Sequence, residues 1–211
     1  MKITICDYGA GNVRSVELAF RRLRCEVVDD VSVADLAVLP GVGAARSAMA
    51  ELRARGNDEA LRLRMEQGRA VLGICLGLQL ALESTEEDGG VDGLALLPGR
   101  AVRLRGGRVP RIGWADVDVD GDGDGDAYYF AHSFAAETPA ATAFSEGVVA
   151  EARAGSFVGV QFHPEKSGAA GARYLGRLLI EFEELSSGNS YSLAYEGADV
   201  AGRAGAFLSR G

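Results

Sequence analysis

The chain has 211 residues, 47% hydrophobic and 25% charged, which suits one α/β domain with a sizeable core and is short for two. Its net charge of −8 excludes the basic footprint of a nucleic-acid-binding surface. Three widely spaced cysteines without a CxxC pair exclude a disulfide framework or a cysteine zinc site and fit a cytoplasmic setting; the first residues are too short an apolar run for a signal peptide, and no stretch is apolar enough to span a membrane.

Residues 2–6, rich in Ile and Thr, read as a buried first strand. Asp7-Tyr8-Gly9-Ala10-Gly11-Asn12 is the turn at its C-terminal end, and a helix follows over 13–24 with Val16, Phe20 and Leu23 at helical spacing. The third glycine of a dinucleotide fingerprint would fall on Arg14, so no nucleotide cofactor is expected here. Short strands at 26–28 and 35–39 lead into Pro40-Gly41-Val42-Gly43, either a plain loop or a place where bare backbone N–H groups meet a ligand. Helical stretches follow at 44–53 and 58–67.

Residues 69–85 combine an apolar, strand-like run with a run of strong helix formers, and Cys75 stands at the join. Glycines lie two residues to either side, in Gly73-Ile74-Cys75-Leu76-Gly77, the setting of a nucleophile elbow with Cys in place of Ser. A side chain presented at a sharp turn needs small neighbours. A cysteine at a helix N-terminus feels the positive end of the dipole, which favours thiolate, and the N–H of Leu76 is free to face an oxyanion. The same residues also fit a buried structural cysteine between two packing glycines. Strands alternating with helices up to this point indicate a doubly wound parallel sheet, and Cys75, residues 40–43 and residues 7–12 all fall at C-terminal strand ends, where such sheets bind ligands.

From 86 to 119 glycine is frequent and short extended runs appear, which reads as an additional antiparallel β section. The only tryptophan, Trp114, is either packed or at an interface. Residues 116–126 place aspartate at every second position, but position twelve of each possible calcium loop is Ala127, Tyr129 or Ala131 rather than glutamate, so a solvated hairpin loop is expected. An aromatic strand at 127–131 ends in His132-Ser133-Phe134, where His132 reads as holding its neighbours; 141–144 and 148–153 are further strands. The strand at 157–162 ends in His163-Pro164-Glu165. Residues two apart in extended chain share a face, so Glu165 can fix the tautomer of His163. With Cys75 on a neighbouring strand end these residues supply what covalent acyl transfer needs; alone they are a surface turn. Residues 168–185 read as a final helix with Leu175, Leu178, Leu179, Phe182 and Leu185 on one stripe, and 186–211 as an appended tail without a catalytic role.

Gly73-Ile74-Cys75-Leu76-Gly77-Leu78-Gln79 resembles the nucleophile segment of the class I glutamine amidotransferases, and His163-Pro164-Glu165 resembles their His/Glu pair. Four further stretches are similar to one branch, the glutaminase subunits of imidazole glycerol phosphate synthase in histidine biosynthesis: residues 7–12, 39–43, 129–134 and 159–167. The resemblance spans about residues 1–185. It departs at Gly113-Trp114-Ala115, usually Gly-Trp-Asn, and at His132-Ser133-Phe134, usually His-Ser-Tyr.

The resemblance implies a flavodoxin-like three-layer fold with a mixed sheet, and hydrolysis of glutamine to glutamate and ammonia without cofactor or metal. Cys75 attacks, His163 transfers protons and Glu165 orients it. The N–H groups of Val42 and Leu76 hold the oxyanion, and Gly43, Gln79, Ser133 and Phe134 grip glutamine. Asn12 and Trp114 are expected on the side facing a (β/α)8-barrel cyclase partner, which receives the ammonia in a heterodimer. Two other readings stay open: a glutaminase of this fold serving another acceptor, and an idle scaffold.

Overall fold

The computed structural model describes residues 1–9, 12–119 and 125–186. Parts of the first turn (Ala10 and Gly11), of the aspartate-rich stretch (120–124) and the segment 187–211 lie outside the described residues.

The first half alternates strands and helices: β1 (Lys2–Ile5), α1 (Val13–Arg22), β2 (Glu26–Val27), β3 (Leu36–Leu39), α2 (Ala45–Ala54), α3 (Asn57–Glu66), β4 (Val71–Ile74) and α4 (Leu76–Ala81). The second half is mostly β: β5 (Ser84–Thr85), β6 (Val91–Asp92), β7 (Arg100–Arg103), β8 (Arg111–Val117), β9 (Asp126–His132), β10 (Phe134–Glu137), β11 (Ala141–Ser145), β12 (Val148–Ala154) and β13 (Phe157–Val160), closed by α5 (Gly168–Ser186).

Seven strands form the central sheet in the order β11-β12-β13-β4-β3-β1-β2. The run from β13 to β2 is parallel, and β12 and β11 add antiparallel strands at one edge. Every residue of β3, β4 and β13 is buried, because helices cover both faces. On one face α1 and α5 contribute Phe20, Tyr174, Leu178 and Phe182, joined by Phe130 and Phe162. On the other, α2, α3 and α4 contribute Met49, Leu52, Leu61, Leu78 and Leu80. Arg64 of α3 is buried beneath this layer, and its guanidinium donates to the carbonyls of Val31, Ala34, Asp35 and Ala70, which pins the entries to β3 and β4.

The expected mixed doubly wound sheet is therefore present, with the additional β section beside it. The additional β section is not wholly antiparallel: in the sheet β10-β7-β5-β6 the pair β5–β7 is parallel, because residues 86–99 carry the chain back to the start of β5 before β7 begins. Trp114 is not packed. It stands 59% exposed on β8, in edge contact with its cross-strand neighbour Tyr129 at 6.0 Å. The aspartate-rich stretch joins the antiparallel pair β8–β9, and among the described residues no group of three His, Cys, Asp or Glu is placed to hold a metal ion.

Candidate active site

The site lies at the C-terminal ends of four neighbouring strands, β13, β4, β3 and β1. Cys75 follows β4 with φ +52° and ψ −104°, a region costly for any residue with a Cβ. The conformation is held by its surroundings. The Cys75 N–H donates to Val160 O at the end of β13 (2.7 Å), and backbone crowds the elbow on every side. A Cβ on Gly77 would stand 2.0 Å from Leu39 O, and one on Gly41 would stand 2.4 Å from the Leu76 nitrogen. The loop 40–43 is therefore pressed against the first turn of α4, whose N–H groups have no partner within the helix. Tyr8, in the turn after β1, donates its hydroxyl to Pro40 O at 2.5 Å and holds that loop from the other side.

His163 reaches the same place from β13. Its N–H donates to Tyr129 O (2.8 Å), and the Ser167 hydroxyl donates to His163 O (2.7 Å), so the turn over Pro164 is fixed at both ends. His163 Nδ1 donates to Glu165 Oε1 at 2.8 Å, with both side chains buried. The other ring nitrogen, Nε2, is buried without a well-formed hydrogen bond, beside the Cys75 thiol. Burial pulls the His163 imidazole down, but hydrogen bonding and charge from Cys75 and Glu165 outweigh it and push it up to about 9. One ring nitrogen oriented by a carboxylate and the other turned to a thiol is the geometry of an activated nucleophile; such contacts tighten when substrate arrives.

Of the residues expected to grip glutamine, Gln79 is buried, and its amide donates to Phe134 O at 2.7 Å and to Gln161 Oε1 at 3.1 Å. Ser133 lies between β9 and β10, where its carbonyl accepts from Leu104 N (2.9 Å). The Phe134 ring lies under Arg103, 5.8 Å from its guanidinium carbon, where the missing hydroxyl leaves an apolar face. Gly43 is exposed at φ +115° and Val42 half-buried beside it.

Asn12 is placed differently from the expectation. Its side chain is buried, and its amide donates to Glu165 Oε1, the same oxygen that accepts from His163. It therefore supports the candidate triad from below α1 rather than presenting itself outward. Trp114 does face outward. Sequence reasoning had missed Tyr8, Gln161 and Ser167 as parts of the site; the signal for Gln161 was a polar residue in the otherwise apolar run 157–162.

His132 is buried, with Nδ1 bonded to Phe134 O (2.9 Å), and burial pushes it down to about 4. The two histidines thus act on stability in opposite windows. His163, raised above its ordinary 6.5, contributes fully below pH 6.5, and this is lost as pH rises towards 9. His132, depressed below 6.5, contributes above pH 6.5, and this is lost as pH falls towards 4. Urea midpoints from pH 4 to 9 are expected to show the wild-type advantage over His163→Gln shrinking above pH 6.5 and that over His132→Gln shrinking below it. A constant difference in either series counts against this assignment.

Residues 4–182 match the family described as Glutamine amidotransferase class-I. The chain is 41% identical over 195 residues to the imidazole glycerol phosphate synthase subunit HisH of Chlorobaculum tepidum, a match covering 82% of this chain and 96% of that protein. It is 41% identical over 186 residues to subunit HisH of Methanothermobacter thermautotrophicus (80% of this chain, 93% of that protein). It is also 41% identical over 199 residues to the chloroplastic imidazole glycerol phosphate synthase hisHF of Arabidopsis thaliana, covering 84% of this chain but only 34% of that longer protein. Among solved structures, a glutamine amidotransferase superposes with a TM-score of 0.70 at 20% identity (88% of this chain, 98% of that one). PurLQS from Thermotoga maritima superposes with 0.67 at 16% identity (86% and 98%). These two likenesses concern the fold. A family match over residues 4–182 and 41% identity across four-fifths of the chain place it plainly: the chain belongs to the class I glutamine amidotransferases, within the HisH subunits of imidazole glycerol phosphate synthase.

Proposed function

We propose that Cys75, His163 and Glu165 hydrolyse glutamine for an imidazole glycerol phosphate synthase, of which this chain is the glutaminase subunit. The observation that carries the reading is the bond from His163 Nδ1 to Glu165, which leaves Nε2 buried beside the thiol of a strained elbow cysteine. The Cys75 thiolate attacks the side-chain amide carbon, and the oxyanion is held by the N–H groups of Leu76 and Val42, each typically worth ~3 kcal/mol in the transition state. His163, protonated, gives its proton to the leaving ammonia and then draws one from water, which hydrolyses the glutamyl thioester; Glu165 keeps the ring in register throughout. Gly43, Gln79, Ser133 and Phe134 position glutamine.

The ammonia passes to a (β/α)8-barrel cyclase subunit in a heterodimer, which makes imidazole glycerol phosphate and an aminoimidazole carboxamide ribonucleotide. A relative whose single chain is named hisHF supports that pairing. The exposed Trp114 is the contact on this chain that we assign to the partner. Residues 1–185 form the catalytic unit, with 186–211 outside it, in keeping with a family match over 4–182. A cytoplasmic location agrees with three unpaired cysteines and with the absence, among the described residues, of a helix long and apolar enough to cross a membrane.

The test is glutamate release by this chain alone and then with the cyclase subunit and its nucleotide ligand. Low release alone and strong stimulation by both is the expected result. High release without a partner would move the acceptor to another pathway, and none under either condition would sink the catalytic reading.

Gly43 sets a second expectation. At φ +115° an L side chain is strained, yet a Cβ there meets no atom within 4 Å. Gly43→Ala should therefore reorient the Val42–Gly43 peptide at little packing cost. Stimulation by the partner should change several-fold while stability falls by no more than about 2 kcal/mol. Unchanged stimulation counts against the loop as a switch.

A further inference from the structure

Three polar side chains form a line inside the protein, ending on the nucleophile. Phe134 O accepts from Gln79 Nε2 at 2.7 Å; Gln161 Oε1 accepts from the same nitrogen at 3.1 Å; Gln161 Nε2 donates to Cys75 Sγ at 3.6 Å. Gln161 has no exposed surface and Gln79 only 4%. The direction of this line is set at its far end. A carbonyl accepts and never donates, so Gln79 must turn its NH2 towards Phe134. That NH2 donates onward, so Gln161 must answer with its oxygen. What remains for Cys75 is an N–H. The carbonyl of Phe134 is held in turn by His132 Nδ1 at 2.9 Å, and the Gln161 backbone by its bond to Ala150 O at 2.9 Å.

We propose that Gln161 is a further catalytic residue, whose side-chain N–H stabilises the Cys75 thiolate, and that Gln79 is the positioning residue that keeps this donor turned towards sulfur. The proposal rests on the reading of Cys75 as the nucleophile. The site offers the sulfur two alternatives. As a thiol it faces the Ala131 carbonyl at 3.8 Å, which can only accept its proton. As a thiolate it faces the amide N–H of Gln161 and His163, whose Nε2 donates once the ring is imidazolium. A donor fixed before reaction costs no reorganisation when charge appears or returns on sulfur, as it does on attack and on hydrolysis of the thioester. Because Gln79 also belongs to the residues assigned to glutamine, a shift of its amide on substrate binding would be felt at the sulfur through Gln161 alone.

The experiment measures carbamidomethylation of Cys75 by iodoacetamide in the full chain, from pH 5 to 10, with modified peptides quantified by mass spectrometry. Folding of each variant is checked by circular dichroism. In Gln161→Leu the pH of half-maximal rate is expected to rise by about one unit, so that labelling at lower pH is about tenfold slower. Gln161→Glu keeps the shape, replaces the donor by a carboxylate, and should shift the profile at least as far. Gln79→Leu, which frees Gln161 to rotate, should shift it in the same direction by less. A merely structural pair of glutamines would lower stability and leave the profile where it was. An unchanged profile in folded Gln161→Glu or Gln161→Leu overturns the proposal. Wild-type Cys75 that labels no faster than buried Cys6 and Cys25 overturns the nucleophile reading itself, and the proposal with it.

Discussion

Cys75→Ser is expected to lower partner-stimulated glutamate release by about 10⁴-fold or more, the scale on which a nucleophile acting within a triad is lost. The backbone gives no reason for the variant to misfold, because Ser meets the same demand at φ +52° as Cys. The loss lies in proton bookkeeping. His163 sits at about 9, so at neutral pH it already carries its proton. That suits a thiol, the more acidic and more nucleophilic of the two groups. It does not suit a hydroxyl, which ionises far higher and needs a neutral base to take its proton during attack. Geometry adds to this, since Gln161 Nε2 and Ala131 O stand 3.6 and 3.8 Å away, spacings for sulfur rather than oxygen. Circular dichroism should be unchanged. A folded serine variant keeping more than about 1% of the activity would show that another group attacks.

Gly77→Ala should cost about 3 kcal/mol or more of stability, and the fraction that folds should be inactive. The added Cβ would lie 2.0 Å from Leu39 O, 2.9 Å from Leu39 C and 3.3 Å from its Cγ. Two of these atoms are backbone in a strand paired on both sides, so relief must come from lifting α4 off the end of β3. That movement separates Leu76 from the loop 40–43, the two sources assigned to the oxyanion. Gly176→Ala is the control: it lies in the interior of α5, a Cβ meets nothing within 4 Å, and Ala there should stabilise by about 0.5–1 kcal/mol. Chemical unfolding of the two variants beside wild type checks both signs. Equal stability in Gly77→Ala and wild type would refute the close approach.

The parts of the site legible in the sequence are those that local chemistry announces. Glycines around Cys75 mark a tight turn, and a Pro between His163 and Glu165 ends a strand, so both segments declare themselves strand ends without knowledge of the fold, and only together do they suggest a site. What stayed hidden depends on partners far along the chain. Asn12 meets Glu165 across 153 positions, and Gln161 meets Cys75 across 86, and nothing in either neighbourhood marks these pairings. The outward expectation for Asn12 comes from the family resemblance, and a polar residue in a glycine-rich turn fits either direction, so the local sequence offers no check on it. Trp114 alternates along β8 with Gly113 and Ala115, residues too small to declare which face is covered. The parallel pairing of β5 with β7 was illegible because strands of two and four residues carry no directional pattern.

The position of β13 has a consequence for how the protein is made. Among the described residues it is the last strand, yet it lies inside the sheet, between β4 and β12. Until residues 157–160 leave the ribosome, β4 has an open edge, a row of unpaired backbone groups that invites association with other chains. In that interval the N–H of Cys75 also lacks Val160 O as acceptor, and neither His163 nor Glu165 exists. Translation therefore delivers the elbow early and its chemistry late. A polypeptide cut short before β13 lacks two of the three residues proposed to release ammonia, so premature termination leaves an open sheet edge and an elbow cysteine without its proposed partners.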